Sequence, residues 1–74
     1  MSSEVDLKQI EGLAMAGMIK EYWVEECEEG AKLVVKDING SVYETRCINS
    51  KKAVELAKRV LDHYTKVFSL VSPE

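Results

Sequence analysis

The pattern that most restricts the fold is a change from alternating to helical spacing of apolar residues across Asn49 and Ser50. Residues 42–48 alternate as a half-buried strand does, and apolar residues then recur at helical spacing. The recurring positions are Ala53, Ala57, Val60, Leu61, Tyr64, Val67, Phe68 and Val71. So wide a stripe predicts a long amphipathic helix that lies on a sheet. Asn49 is its predicted cap, Ser50 is the alternative, and Pro73 follows its end.

Two more strands precede this junction. The first is predicted from Ile19 to Cys27, where aromatic and branched residues favour extended structure, and the second from Ala31 to Ile38. The turn Asn39-Gly40 then allows two registers. A two-residue turn pairs Ile38 with Ser41, whereas a type I turn closed by a glycine bulge pairs Asp37 with Ser41. We choose the second register because it gives one coherent core face, made of Leu33, Val35, Tyr43, Thr45 and Cys47.

A first helix is predicted before the strands, capped by Ser2 or Ser3 and stopped by Gly17. The predicted fold is therefore α+β with the order α-β-β-β-α. It has a three-stranded antiparallel sheet, and both helices pack on the face that carries Leu33. Residues 1–74 form one small domain, and so short a chain buries only about 60% of its unfolded surface. Size alone thus favours a protein partner or a second copy.

Acidic and basic residues are unevenly distributed along the chain. Residues 1–30 carry eight acids and two bases (−6), and residues 31–74 carry eight bases and five acids (+3).

Cys27 and Cys47 do not have the spacing of a metal site. On strands that flank a shared central strand they would lie roughly 10 Å apart, so we expect free thiols, with a disulfide as the alternative. Free thiols indicate a reducing compartment. The apolar run Leu13–Ile19 is too short to cross a membrane, so the predicted location is cytoplasmic, with no metal, cofactor or membrane partner.

The order and three short motifs resemble the double-stranded RNA-binding domain family. The motifs are Glu21-Tyr22 with Val24-Glu25-Glu26 and Gly30, Asn39-Gly40 with Tyr43, and Ser50-Lys51-Lys52 at the start of the last helix. The resemblance implies that Ser50, Lys51 and Lys52 contact phosphates across a major groove, and that Lys8 and Gln9 face a minor groove. The chain departs from the family in its short first hairpin, where Glu28 and Glu29 replace the Gly-Pro-x-His loop.

No residue set amounts to a catalytic site. The chain has no recognisable nucleophile motif and no glycine-rich phosphate loop. The acidic cluster from Glu25 to Glu29 lies at a hairpin tip, without an apolar pocket that would separate the carboxyl pKa values. We therefore expect a protein that is not an enzyme.

Two functions remain, and we favour the first. It is a protein-interaction module, acting as a homodimer, an adaptor or an inhibitor, that uses the open sheet face and the aromatics of the first strand. The predicted contact residues are Tyr22, Trp23, Val34, Val42 and Ile48. The alternative is binding of duplex RNA through the N-terminus of the last helix.

Overall fold

The computed structural model describes residues 2–71, with side chains described for residues 3–67. The elements in chain order are β1 (Ser2–Glu4), α1 (Leu7–Met15), β2 (Ile19–Cys27), β3 (Gly30–Asp37), β4 (Val42–Glu44) and α2 (Lys51–Val71). The predicted α+β class is confirmed. The sheet has four strands in the order β1-β4-β3-β2, so the prediction of three antiparallel strands is incomplete.

The added strand, β1, runs parallel to β4 at the edge of the sheet and pairs Ser3 with Tyr43. The serines predicted to cap the first helix therefore lie in a strand. Asp6 caps α1 instead, because its carboxylate accepts the Gln9 backbone N–H at 2.8 Å. The Gln9 side-chain oxygen accepts the Asp6 N–H in return at 3.0 Å. This capping box satisfies two backbone donors at once, which a lone serine does not.

The end of α1 agrees with the prediction. Gly17 follows the helix with a φ of +71°, a conformation that glycine adopts without a steric cost. Its N–H donates to the Ala14 carbonyl at 3.0 Å, and the Met18 N–H donates to the Leu13 carbonyl at 3.0 Å. These two bonds satisfy the last carbonyls of the helix and direct the chain into β2.

The predicted register of β3 and β4 is confirmed. The Asp37 N–H donates to the Ser41 carbonyl at 2.9 Å, and Gly40 has a φ of +89°. The buried Asp37 carboxylate accepts the backbone N–H groups of Asn39 and Ser41, each at 2.9 Å. Further along the pair, Thr45 is buried and its hydroxyl accepts the Leu33 N–H at 3.0 Å. The turn thus places the helix-facing sides of β3 and β4 together.

The register shifts by one residue after Thr45. Ala31 pairs with Ile48, and their N–H groups and carbonyls form bonds of 3.1 and 2.8 Å. Regular pairing would have placed Cys47 opposite Ala31. Ile48 therefore packs against the core in the place predicted for Cys47, and the expectation that Ile48 lies on the open face is wrong.

Cys27 and Cys47 form a disulfide with a Cα–Cα distance of 6.0 Å, so the prediction of free thiols is wrong. The prediction assumed evenly spaced strands, but the chain before α2 crosses directly over Gly30. A Cβ at Gly30 would lie only 1.9 Å from the Ile48 carbonyl oxygen. The cross-link closes a loop with a sequence separation of 20, and stabilisation of about 3 kcal/mol is typical for such a loop. The cytoplasmic location stays a prediction, now without the support of free thiols.

The core lies between the helices and one face of the sheet, as predicted. Its buried members are Ile10 and Ala14 of α1, Ala31, Leu33 and Val35 of β3, and Val54 and Leu61 of α2. Ser50 rather than Asn49 caps α2, since its hydroxyl accepts the Ala53 N–H at 3.2 Å. The predicted core stripe omitted Val54, which is fully buried, and included Val60 and Val67, which are 37% and 39% exposed.

The close crossing at Gly30 gives a stability test. We expect Gly30→Ala to lower the free energy of unfolding by more than about 2 kcal/mol, because the methyl group would displace the Ile48 backbone. Gly12→Ala is the matched control. Gly12 lies in α1 with no atom within 4 Å of the added Cβ, and alanine favours helix by about 1 kcal/mol. Chemical denaturation measures both variants, and equal stability changes would contradict the close crossing.

Candidate interaction surface

The open sheet face is less apolar than the sequence predicted. Val34 is only 4% exposed, because it lies between its two cross-strand neighbours, Trp23 of β2 and Glu44 of β4. The expectation that Val34 is exposed is therefore wrong. Val42 is half-buried, and Trp23 is 38% exposed. Only one large apolar side chain of the predicted contact set is thus open to solvent on this face.

A polar network links the side chains around Val34. The Trp23 indole N–H donates to the Glu25 carboxylate at 2.8 Å. The Lys32 ammonium donates to Glu44 at 2.6 Å and lies 3.8 Å from Glu25. The hydrogen bond to Glu44 is the main reason why the pKa of Lys32 is raised. These groups bind one another, so a partner at this face would have to displace satisfied contacts.

Tyr22 lies on the other side of the sheet, where its ring packs against the core. Its hydroxyl donates to the carboxylate of Asp62 on α2. Burial raises the pKa of Tyr22, and the hydrogen bond with Asp62 raises it further. Tyr22 therefore fastens α2 to β2. The residues predicted to form one contact surface are divided between two faces, with Tyr22 and Ile48 packed against the core.

Two of the residues predicted to contact RNA bond to the backbone of the protein itself, and the three lysines are exposed. Gln9 belongs to the capping box of α1, and the Ser50 hydroxyl caps α2. Lys8, Lys51 and Lys52 are exposed. Lys51 lies 3.8 Å from Glu26 of β2.

An open groove of about 650 Å³ lies beside one of the two predicted RNA-contact regions, the start of α1. Lys8 and Gln9 line it beside Arg46 and Ile48, which lie shortly before the Ser50 cap. The groove thus places the start of α1 near the segment that leads into α2. Its charged lining includes Glu4 and Asp6 as well as Lys8 and Arg46, so both signs of charge are present.

α2 carries two neighbouring apolar stripes. The inner stripe, Val54, Ala57, Leu61 and Tyr64, packs in the core. The outer stripe is Ala53, Leu56, Val60, His63 and Val67. Both follow alternating steps of three and four residues, the spacing of a helix seam. In the outer stripe Leu56 is 52% exposed and Val60 is 37% exposed, so apolar side chains lie in solvent beside the core, with the exposed His63 between Val60 and Val67.

Sequence reasoning missed this surface because it merged both stripes into one wide core face. The signal for two separate stripes was a pair of seven-residue repeats, offset from each other by one position along the chain. A helix of 21 residues cannot bury both repeats against one small sheet. Leu56 was absent from the predicted stripe altogether. Leu56, a leucine at seam spacing, would have distinguished the outer stripe from the inner stripe.

Three cations border the outer stripe. Lys52, Arg59 and Lys66 recur every seven residues, and all three side chains are exposed. None of them forms an ion pair within the described side chains. The next ridge around the helix holds Asp62, which lies 3.7 Å from Lys58 and accepts the Tyr22 hydroxyl. The outer stripe therefore has one basic edge and one edge that turns into the core.

The described residues contain neither a cluster of metal-ligating side chains nor a membrane-spanning helix. Within them, His, Cys, Asp and Glu form no group of three or more that could hold a metal ion. In the same part of the chain, no helix has the length and apolarity required to cross a bilayer. Comparison of the chain with protein-family models, curated proteins and solved structures found no match.

Proposed function

We propose that this chain is a small non-enzymatic protein-interaction module that binds a second copy of itself through the outer stripe of α2. The observation that carries the proposal is the exposure of Leu56, Val60 and Val67, at 52%, 37% and 39%, along one side of a helix whose inner stripe packs in the core. Exposed apolar side chains that are grouped on one side of a helix are typical of interaction sites.

The chemistry of the stripe favours a like partner. Valine and leucine at alternating steps of three and four residues form the seam by which two helices of the same kind pack. The described core is small, and binding a second copy stabilises the folded state by mass action. A surface on a regular helix is also pre-organised, so little ordering has to accompany binding.

The proposal moves the interface from the open sheet face to α2. The polar network of Trp23, Glu25, Lys32 and Glu44 supports this move, because those groups are already paired. A double-stranded RNA-binding-like fold remains part of the proposal. Its support is the order α1, β2, β3, β4, α2 with both helices on the face of Leu33. β1 is an addition to that order.

Self-association should be lost when a charge enters the outer stripe. We expect Leu56→Glu and Val60→Glu to raise the dissociation constant of the dimer at least tenfold, since burial of a carboxylate in the seam costs more than about 1.4 kcal/mol. Sedimentation velocity over a range of concentrations measures this.

Ile38→Glu is the matched control for that experiment. Ile38 is 61% exposed, more than Leu56, but it lies in the β3–β4 turn away from α2. The Ile38→Glu variant should therefore sediment as the wild-type chain does. A monomeric wild-type chain, or equal effects of Ile38→Glu and Leu56→Glu, would refute self-association through this stripe.

Duplex RNA binding is the second candidate, favoured by the exposed Lys51 and Lys52 at the start of α2. If it operates, the affinity for a duplex of about 20 base pairs should fall steeply with salt and be lost in Lys51→Glu/Lys52→Glu. Lys20→Glu, at an exposed position of β2, is the control for a general charge effect. Absence of binding at low salt would remove this candidate and leave self-association standing.

A further inference from the structure

We infer that two copies associate with their α2 helices parallel and in register. This inference rests on the proposed self-association and specifies its geometry. The outer stripe alone does not fix the direction of the partner helix, since an apolar seam can pack in either sense. Two features of α2 choose between the senses: the order of side chains within the seam, and the charges along its edges.

The order of side chains in the seam favours parallel helices. Two residues in every seven belong to the seam. The first of these positions holds Ala53, Val60 and Val67, and the second holds Leu56 and His63. A branched residue at the first position and leucine at the second fit the side-chain packing of parallel two-stranded coiled coils. Val60 and Leu56 follow this preference at the centre of the described stripe, whereas His63 departs from it and would face His63 of the other copy.

The charges along the seam favour the same sense more strongly. Lys52, Arg59 and Lys66 form one edge of the outer stripe, while the opposite edge is formed by Ala57 and Tyr64. In an antiparallel pair centred on the seam, the two basic edges meet, so Arg59 faces Arg59 of the other copy. Like charges placed face to face are destabilising. In a parallel pair, each basic edge instead meets Ala57 and Tyr64 of the other copy, beside a groove that is lined by both Lys8 and Glu11 of α1.

The acidic residues of α2 do not cancel this effect. Asp62 is held by the Tyr22 hydroxyl and by Lys58, on the side of the helix that faces β2. Glu55 lies one ridge beyond the basic edge, further from the seam than Lys52 and Arg59. The basic edge therefore presents net positive charge toward a partner in either sense, and only the parallel sense keeps the two edges apart.

The parallel arrangement also gives Arg59 a partner. In register, Arg59 of one copy lies level with Tyr64 of the other, five residues further along the helix. Tyr64 is half-buried, and its ring stacks edge-on with His63 at a centroid distance of 5.8 Å. A guanidinium beside a half-exposed aromatic ring is a favourable cation–π contact. Both α2 N-termini, with their Lys51 and Lys52 side chains, then lie at the same end of the dimer.

Photo-cross-linking tests the direction. p-Benzoylphenylalanine replaces Val67, which is 39% exposed near the end of the described side chains, and cross-linked peptides are mapped by mass spectrometry. An equal mixture of isotopically labelled and unlabelled chains identifies links between copies. The parallel arrangement predicts links to residues 63–71 of the other copy. Links to residues 50–55 of the other copy would overturn it.

Two controls separate this inference from the proposed self-association. The same photoreactive residue at the exposed position Ile38 should give no links between copies. The photoreactive residue in place of Lys66, on the neighbouring basic edge, gives a second labelling position that leaves the apolar seam intact. If the wild-type chain sediments as a dimer and neither α2 position cross-links, the parallel seam is wrong although self-association stands. If the wild-type chain is monomeric, both proposals fail.

Discussion

The packing of α2 on the central strand is the interaction on which the rest of the structure depends. Val54 and Leu61 of α2 and Leu33 and Val35 of β3 are at most 1% exposed, and they form the middle of the core. α1 closes this core from one side through Ile10 and Ala14. The Tyr22–Asp62 hydrogen bond and the disulfide beside the Ser50 cap then fix α2 at two places along the sheet.

Because α2 is long and the sheet is small, one helix has to serve two surfaces. Its inner stripe accounts for the fold, and its outer stripe supplies the apolar surface that the fold leaves uncovered. The polar network over Val34 has the opposite effect on the open sheet face, where the charged groups satisfy one another. The contrast between an uncovered helix stripe and a satisfied sheet face is the basis for assigning the interface to α2.

Local signals in the sequence predicted local structure well. Gly17 ended α1, Gly40 set the register of β3 and β4, and the bounds of β2 were predicted correctly. Features that depend on contacts between distant segments were missed. β1 is a Ser-Ser-Glu segment with little strand preference, and it forms because β4 offers a free edge. The disulfide requires the crossing at Gly30, which no spacing of cysteines along the chain reveals.

The burial of individual residues was hardest to predict, because it depends on neighbours across the sheet and on how much of a helix the sheet can cover. Val34 is hidden by Trp23 and Glu44, whereas Val60 is left in solvent beside the fully buried Leu61. The candidate surface therefore changed from the sheet to the helix once neighbours were known, although the predicted class of function, a protein-interaction module, is still the one we propose.

A dilution series followed by NMR tests the choice of surface most directly. We predict concentration-dependent shifts of the Leu56, Val60 and Val67 methyl groups, while the indole N–H of Trp23 stays constant. Shifts of the Trp23 indole with constant α2 methyl resonances would place the interface on the open sheet face and contradict the assignment to α2. Constant resonances throughout would show that the chain does not associate with itself.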